Sequence, residues 1–301
     1  MRTRSTTEMY RKEGLRLLRC YRMETGQEHL EGFVDWLIRR KGGIRKNTWY
    51  TYKQAGLQIL EELGRADDKN RLEAEGSDGC RPGREKIRRG LSDRDVDRLW
   101  KKAKDSPGKI KSWLWVVAGR ATGLRPSEWE HAELTEGPAG PILVVRNAKH
   151  TNGRGNGETR RIGLSDIVRL ATYTDSPHPN QAWEAIKNHL ANVAREKEKP
   201  DGFRRYKKAC RNTLYRLTKE AGVKGVSLYT PRHQFAADAK RARLSRAEVA
   251  ALMGHASDET ATTHYGRRIQ GRGEPVPSPD PREVATVRKA MRSSHEKKID
   301  I

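Results

Sequence analysis

Arg125 stands in the stretch Gly123-Leu124-Arg125-Pro126-Ser127-Glu128. The apolar pattern before it predicts a helix that stops at Gly123, and Pro126 is read as opening a new one. A helix start beside a guanidinium offers an anion free N–H groups, the positive end of a dipole and a planar fork of donors. Glu128, three residues on, is placed to fix the rotamer of Arg125; by itself the pair could equally be a surface ion pair worth under about 1 kcal/mol. A second stretch, Ser227-Leu228-Tyr229-Thr230-Pro231-Arg232-His233, repeats the theme. Thr230 is read as the N-cap and Pro231 as the first helical residue, so Arg232 and His233 fall in the first turn. Cations there are mildly unfavourable unless an anion is bound. Lys149 is the only lysine between Lys111 and Lys187. It ends a predicted strand beside a glycine-rich turn, where an ammonium could reach a leaving oxygen and give it a proton, or simply be solvated.

Two further residues lie in Leu252-Met253-Gly254-His255 and, ten positions after the histidine, at Tyr265. Gly254 closes a predicted helix and presents His255 in the turn, a place where histidines often just bond a helix end. Tyr265 lies between Thr262-Thr263-His264 and Gly266-Arg267-Arg268. A phenol with a pKa of about 10 is a poor nucleophile at neutral pH. Clustered arginines would stabilise both its phenolate and the charge on an attacked phosphorus. Arginines and histidines around a tyrosine are therefore what attack on a phosphodiester requires.

The bulk composition agrees with a polyanionic partner. Among 301 residues, 62 Lys and Arg face 39 Asp and Glu, a formal net charge of +23. Neutralising phosphates releases counterions, so nucleic acid is the simplest partner for such an excess. An anionic membrane surface is the rival, but no apolar run is long enough to span a bilayer, and the first residues lack the apolar core of a signal peptide. A cytoplasmic protein is expected. Cys20, Cys80 and Cys210 are too few and too far apart for a disulfide framework or a Cys-rich zinc site.

The elements that must position these residues follow from periodicity. From about Thr7 to Gly64 three apolar stripes predict a helical bundle: Leu15, Leu17, Leu18 and Tyr21; then Leu30, Phe33, Val34, Trp36, Leu37 and Ile38; then Trp49, Tyr52, Ala55, Ile59, Leu60 and Leu63 after a start signal at Thr48. Lys41, Arg45, Lys46 and Lys53 cluster along its later helices as candidate DNA contacts. Residues 65–90 hold no sustained period and are read as a linker long enough to let two domains sit on opposite sides of a ligand. A capping box at Ser92 and Asp95 opens the next region. A helix through Trp113, Leu114, Val117 and Ala121 follows. Ile142–Val145 and Arg160–Leu164 then form a β-hairpin around the turn Thr151–Gly157. Helices are expected at about 180–197, 204–221, 231–243, 246–253 and 258–267, with a final basic helix at about 281–297. The fold class is mainly α with a small β-hairpin or sheet.

The order Arg125, Lys149, Arg232, His255, Tyr265, carried by ATGLRPSE, the hairpin lysine, TPRH, LMGH and TTHYGRR, resembles the tyrosine recombinase (phage integrase, Xer-like) family. The resemblance covers about residues 91–268 and, more loosely, the N-terminal bundle. It implies a two-domain architecture: a helical core-binding domain over 1–64, the linker over 65–90, an α+β catalytic domain over 91–270 and a tail over 271–301, read either as a helix for packing on a neighbouring protomer or as a solvated or DNA-touching segment. It also implies roles. Tyr265 is the nucleophile that forms a 3′-phosphotyrosyl link, Arg125 and Arg232 clamp the non-bridging oxygens, Lys149 is the general acid and His255 bonds the phosphate, with Glu128 and His233 in support. No metal or other cofactor is implied. The partners implied are double-stranded DNA with inverted repeats, a homotetramer formed on that DNA by protomers that associate weakly in solution, and accessory proteins. Two places depart from the family pattern. Tyr229 stands where a histidine often precedes the second arginine, and the His255–Tyr265 gap is about one residue longer.

The helical pattern begins within about ten residues of Met1, so a recombinase without an added arm-site domain is expected, serving integration, excision or resolution of a mobile element. The alternatives are a telomere resolvase or type IB topoisomerase-like enzyme, and a DNA-binding accessory protein that has lost the chemistry.

Overall fold

The computed structural model describes residues 4–82, 90–150, 155–173, 182–260, 265, 268–273 and 276–290. The chain divides into two compact units, residues 1–87 and 88–301. In the first, helices α1 (Arg4–Thr25), α2 (Phe33–Arg39), α3 (Lys46–Glu62) and α4 (Ala66–Ala74) enclose Leu17, Tyr21, Phe33, Leu37, Trp49, Ile59, Leu60 and Leu72. Leu15 and Leu63, read as members of the apolar stripes, are exposed. Helix α3 starts two residues before Thr48, after Arg45 and without a side-chain cap.

The linker expected from residue 65 gives way to α4. This helix escaped the periodicity because Leu72 is its one buried residue; polar contacts hold the rest. Trp49 Nε1 donates to the Gly76 carbonyl (2.8 Å), and Lys53 Nζ reaches the carbonyls of Glu73 (2.8 Å) and Glu75 (2.7 Å). Arg81 N donates to the Ile44 carbonyl (2.8 Å). The segment up to Arg81 is thus part of the bundle, and residues 83–89 of the expected linker lie outside the described residues.

The second unit is built around helix α6 (Pro107–Thr122), whose Trp113, Trp115, Val116 and Ala118 are buried. Packed on it are α5 (Asp93–Ala103), α8 (Ala182–Lys197), α9 (Gly202–Glu220) and α10 (Thr230–Arg241). The capping box that opens α5 is present, Ser92 Oγ accepting from Asp95 N and Asp95 returning the bond. Helices α7 (Ser165–Tyr173) and α11 (Arg246–Leu252) complete the helical set, the latter opened by a second capping box, Ser245 with Glu248.

The expected hairpin is two strands of a four-stranded antiparallel sheet, β1 (Ala132–Gly137), β2 (Gly140–Arg146), β3 (Thr159–Gly163) and β4 (Ser278–Pro279), in that order. β1 is mostly solvated and β4 is two residues, one of them a proline, so neither carries an apolar alternation. The register sets Leu143 opposite Ile162 and Val145 opposite Arg160, and all four are fully buried.

Residues 276–290, expected in a tail for another protomer, pack on this same unit. Within these residues the helix spans only Pro281–Ala285, and residues 291–297 of the expected basic helix lie outside the described residues. After it Thr286 Oγ1 bonds Asn156, Val287 packs on Ala250 and Ala251, and the backbone of Arg288 pairs with that of Ala256 and Asp258. Those bonds pull the chain into an extended path and end the helix early. Nearer Tyr265, Arg272 donates to both carboxylate oxygens of Asp238 on α10 and to Asp93 on α5. No described helix is long and apolar enough to cross a membrane.

Candidate active site

Four chain reversals deliver the candidate residues to one place. Helix α6 ends at Gly123, whose φ of +69° and whose closeness to Phe235, 2.3 Å from where a Cβ would stand, both require glycine. The expected helix at Pro126 is instead a turn followed by a single 3-10 turn, Glu128–His131. The anion-binding helix start inferred there is absent, and Arg125 meets Glu128 through both its backbone N and its guanidinium. At α10 the cap position belongs to Tyr229, while Thr230 lies inside the helix with Oγ1 accepting from Ser227 N (2.9 Å). Helix α11 closes in a Schellman turn: Gly254 N donates to Ala251 O (2.9 Å), His255 N to Ala250 O (2.9 Å), and Gly254 has φ +62°. The turn leaves the Met253 carbonyl and the His255 ring facing the arginines.

At the centre three buried guanidiniums surround one buried carboxylate. Glu128 accepts from Arg125 Nη1 (2.6 Å), Arg125 N (2.7 Å) and Arg160 Nη2 (2.8 Å), and Arg232 Nη1 lies 3.7 Å away. Burial opposes its ionisation, but Arg160, Arg232 and Arg125 outweigh burial and hold the carboxyl well below the usual range. Arg232 also donates to the carbonyls of Gly123 (2.6 Å) and Met253 (2.6 Å). Three permanent cations against one anion leave a fixed excess of positive charge in a low-dielectric site, which an incoming anion would neutralise.

His255 sits 2.9 Å from Arg232 Nη2 through Nε2. Burial first, then the charges of Arg232, Arg125 and Arg160, push its pKa down to about 2. The ring is therefore neutral, and because Nε2 can only accept from a guanidinium, the proton is on Nδ1. Nδ1 is buried without a hydrogen-bond partner among the described residues.

The hydroxyl of Tyr265 lies 2.7 Å from that of Tyr229 and 3.3 Å from Arg232 Nε. Burial raises the pKa of Tyr265, yet the charge of Arg232 and the bonds from Tyr229 and Arg232 outweigh it, so the net shift is downward. For Tyr229 burial prevails and the shift is upward. Tyr265 is thus the phenol that ionises first, with Tyr229 donating to it. His233 packs against both rings, at 5.3 Å from Tyr229 and 5.1 Å from Tyr265.

A cavity of about 470 Å³ opens on this cluster, lined by Arg125, Lys149, His255, Ser257, Tyr265 and Arg288 among others. Lys149 is exposed at its rim, in the turn that follows β2. The structure therefore brings together Arg125, Glu128, Lys149, Tyr229, Arg232, His233, His255 and Tyr265. Most of the side chains that flank Tyr265 in sequence, and residues 151–154 of the glycine turn, lie outside the described residues. Sequence reasoning missed Arg160, Asn147 and Arg288. Arg160 carried a signal, because it alternates with the apolar Ile162 on the core face of β3.

The four candidate DNA contacts of the first unit divide. Arg45 and Lys46 are exposed. Lys41 is paired with Glu75 (2.5 Å) over the Trp49 ring, and Lys53 is engaged with α4 carbonyls. These two hold the bundle together and are not free cations.

No protein-family model and no curated protein matches the chain. Among solved structures it is similar to the integrase of the Tn1549 transposon in complex with a circular-intermediate DNA, at 17% identity and a TM-score of 0.48 over 78% of this chain and 80% of that one. It is also similar to XerA recombinase, at 18% identity and a TM-score of 0.38 over 88% and 89%. At such identities the likeness concerns the course of the backbone.

Proposed function

We propose that this chain is a tyrosine recombinase that cleaves and rejoins DNA strands through a 3′-phosphotyrosyl intermediate. The observation that carries the reading is the placement of the Tyr265 hydroxyl, 3.3 Å from a buried arginine and 2.7 Å from a second phenol, beside a cavity with an excess of buried positive charge. A phosphodiester in that cavity meets Arg125 and Arg232 at its non-bridging oxygens, and the Nδ1–H of His255 is a further donor to them. Tyr265, having lost its proton to solvent, attacks phosphorus. The P–O bond to tyrosine forms as the P–O5′ bond breaks. The electron pair goes to O5′, which takes a proton from Lys149, the general acid at the rim. The reverse attack by a 5′-hydroxyl restores the diester, the bond energy having been kept in the phosphotyrosine.

Tyr229 has a defined part in this scheme. It is the higher-pKa phenol of the pair and stays protonated, so it hydrogen-bonds the phenolate and does not act as a base. Glu128 orders Arg125, and His233 buttresses the two rings. Inverted-repeat DNA, a homotetramer on that DNA, accessory proteins and a mobile-element context complete the proposal.

The test is a nicked suicide duplex carrying the candidate element's end, incubated without metal and resolved on a denaturing gel. A protein–DNA adduct at the 3′ side in wild type and in Tyr229→Phe, lost in Tyr265→Phe, is the expected result. An adduct surviving Tyr265→Phe but lost in Tyr229→Phe would move the nucleophile to Tyr229. Tight binding with no adduct in any variant would leave a DNA-binding accessory protein.

A further inference from the structure

Arg160 is fully buried, and its three kinds of donor serve three different elements. Nε donates to the Leu252 carbonyl at the end of α11 (2.9 Å), Nη2 to Glu128 (2.8 Å), and Nη1 to Oδ1 of Asn147. Asn147 is likewise fully buried, immediately after β2. Its Nδ2 donates to the carbonyls of Asn156 (2.8 Å) and Gly157 (3.0 Å), and its backbone N to Glu158 O (2.8 Å). Its carbonyl accepts from His150 N (3.3 Å) and lies 2.6 Å from His150 Nδ1. Asn147 thus closes the base of the loop between β2 and β3 from both sides, and Lys149 is two residues along that loop. Ala148 N, just before Lys149, reaches the same Glu128 carboxylate (3.4 Å). The His255 turn presses on the pair as well, since a Cβ on Gly254 would stand 2.3 Å from Asn147 Oδ1 and 2.8 Å from Arg160 Nη1.

We propose that Arg160 and Asn147 are positioning residues for Lys149, fixing the base of its loop to the Arg125–Glu128–Arg232 cluster. The inference rests on the reading of Lys149 as general acid. Every nitrogen of the Arg160 guanidinium is engaged by Leu252, Asn147 or Glu128, whereas Arg232 reaches the Tyr265 hydroxyl; Arg160 and Asn147 act through the loop. Lys149 is exposed and approaches the leaving oxygen from a turn, so the placement of its backbone has to come from the loop's base. A shift of about 1 Å in a reacting group can cost about a hundredfold in rate, which makes a rigid anchor two residues away consequential. Of the three guanidiniums at the site, that of Arg160 alone bonds Glu128, Asn147 and α11 at once.

Single-turnover cleavage of two matched substrates tests this. One carries the ordinary phosphodiester; in the other sulfur replaces the bridging O5′ at the scissile position. Sulfur leaves as a thiolate and needs no proton, since a thiol ionises with a pKa of about 8.5. Lys149→Ala is expected to slow the oxygen substrate about a hundredfold or more, as loss of a general acid does, and to cleave the sulfur substrate at nearly the wild-type rate. Asn147→Ala and Arg160→Gln should be at least about tenfold slow on oxygen and within about threefold of wild type on sulfur, the mark of a misplaced acid. In a Lys149→Ala background, Asn147→Ala should add less than about twofold. Equal defects on both substrates, or effects that multiply with Lys149→Ala, would overturn the proposal and place the pair's effect on the arginines or the fold. A Lys149→Ala defect that sulfur does not relieve would instead sink the general-acid reading. Should Arg160→Gln fail to fold, Asn147→Ala decides, because it removes the same link without uncovering a carboxylate.

Discussion

At the scale of single residues, the tyrosine pair makes a pH prediction with a definite sign. Tyr265 is lowered by Arg232 and by the bond from Tyr229, so its phenolate grows in through a pH below that of a free phenol. The groups that face it are Tyr229, Arg232 and His233 from α10 and its cap, His255 after α11, and Arg125 after α6. Tyr229→Phe removes one lowering contribution. Adduct formation at pH 7 should fall and recover as the pH is raised; a loss that is the same at every pH would show that Tyr229 only supports packing. His255 predicts the opposite kind of result. Held neutral down to about pH 2, it should leave no inflection in the rate between pH 5 and 8, and such an inflection disappearing in His255→Gln would contradict this. The five residues that the structure brings together were named from type and order; the bonds that join them could not be. Glu128 was expected to serve Arg125 alone, and the structure shares it with Arg160 and Ala148. That sharing depends on tertiary packing that brings Arg160 of β3 to Glu128, 32 residues away in sequence.

At the scale of elements, local chemistry was the most legible. The capping boxes at Ser92 and Ser245 and the stops at Gly123 and Gly254 stand where the residue types place them. Ser245→Ala should cost about 1 kcal/mol in a urea melt, with no change in the site's cleavage pH profile. Gly254→Ala is a harsher change, because φ is positive and the new Cβ would meet Asn147 and Arg160. It should lower stability by at least about 1 kcal/mol, the cost of a residue in that conformation, and depress cleavage beyond that loss; full activity at normal stability would mean the turn relaxes freely. Elements held by polar contacts were the ones missed. Helix α4 has one buried apolar residue, β1 is solvated along most of its length, and β4 is two residues long. None offers a period, and each exists because a tertiary partner supplies its bonds.

At the scale of the molecule, a net charge of +23 predicts steeply salt-dependent DNA binding. If Arg45 and Lys46 meet phosphates, replacing both with alanine should flatten the slope of log K against log salt by about 1.8, or about 0.9 for each contact. Lys53→Ala should leave the slope alone and lower stability, since its ammonium holds α4. An unchanged slope in the Arg45, Lys46 variant would remove those two from the interface. Acid should weaken the fold as well. Burial pushes His189 down to about 3, and burial with the neighbouring arginines pushes His255 down to about 2. Both lie below the ordinary 6.5, so the unfolded chain takes up protons first as pH falls. Each histidine's contribution is complete above about pH 6.5 and is lost below it, by up to about 2 kcal/mol at pH 5, and Glu283, which burial pushes up to about 7, offsets part of that loss over the same range. Urea midpoints that do not fall between pH 7 and 5 would rule this out, and His189→Gln should flatten the decline. One last property follows from Arg272, which fastens the chain seven residues beyond Tyr265 to Asp238 on α10, the helix that carries Arg232. On the proposed reading of Tyr265 as nucleophile, a DNA strand joined to it and placed under tension would pull against that fastening, so mechanical load from a twisted duplex would pass into the helix that carries Arg232 and bypass the end of the chain.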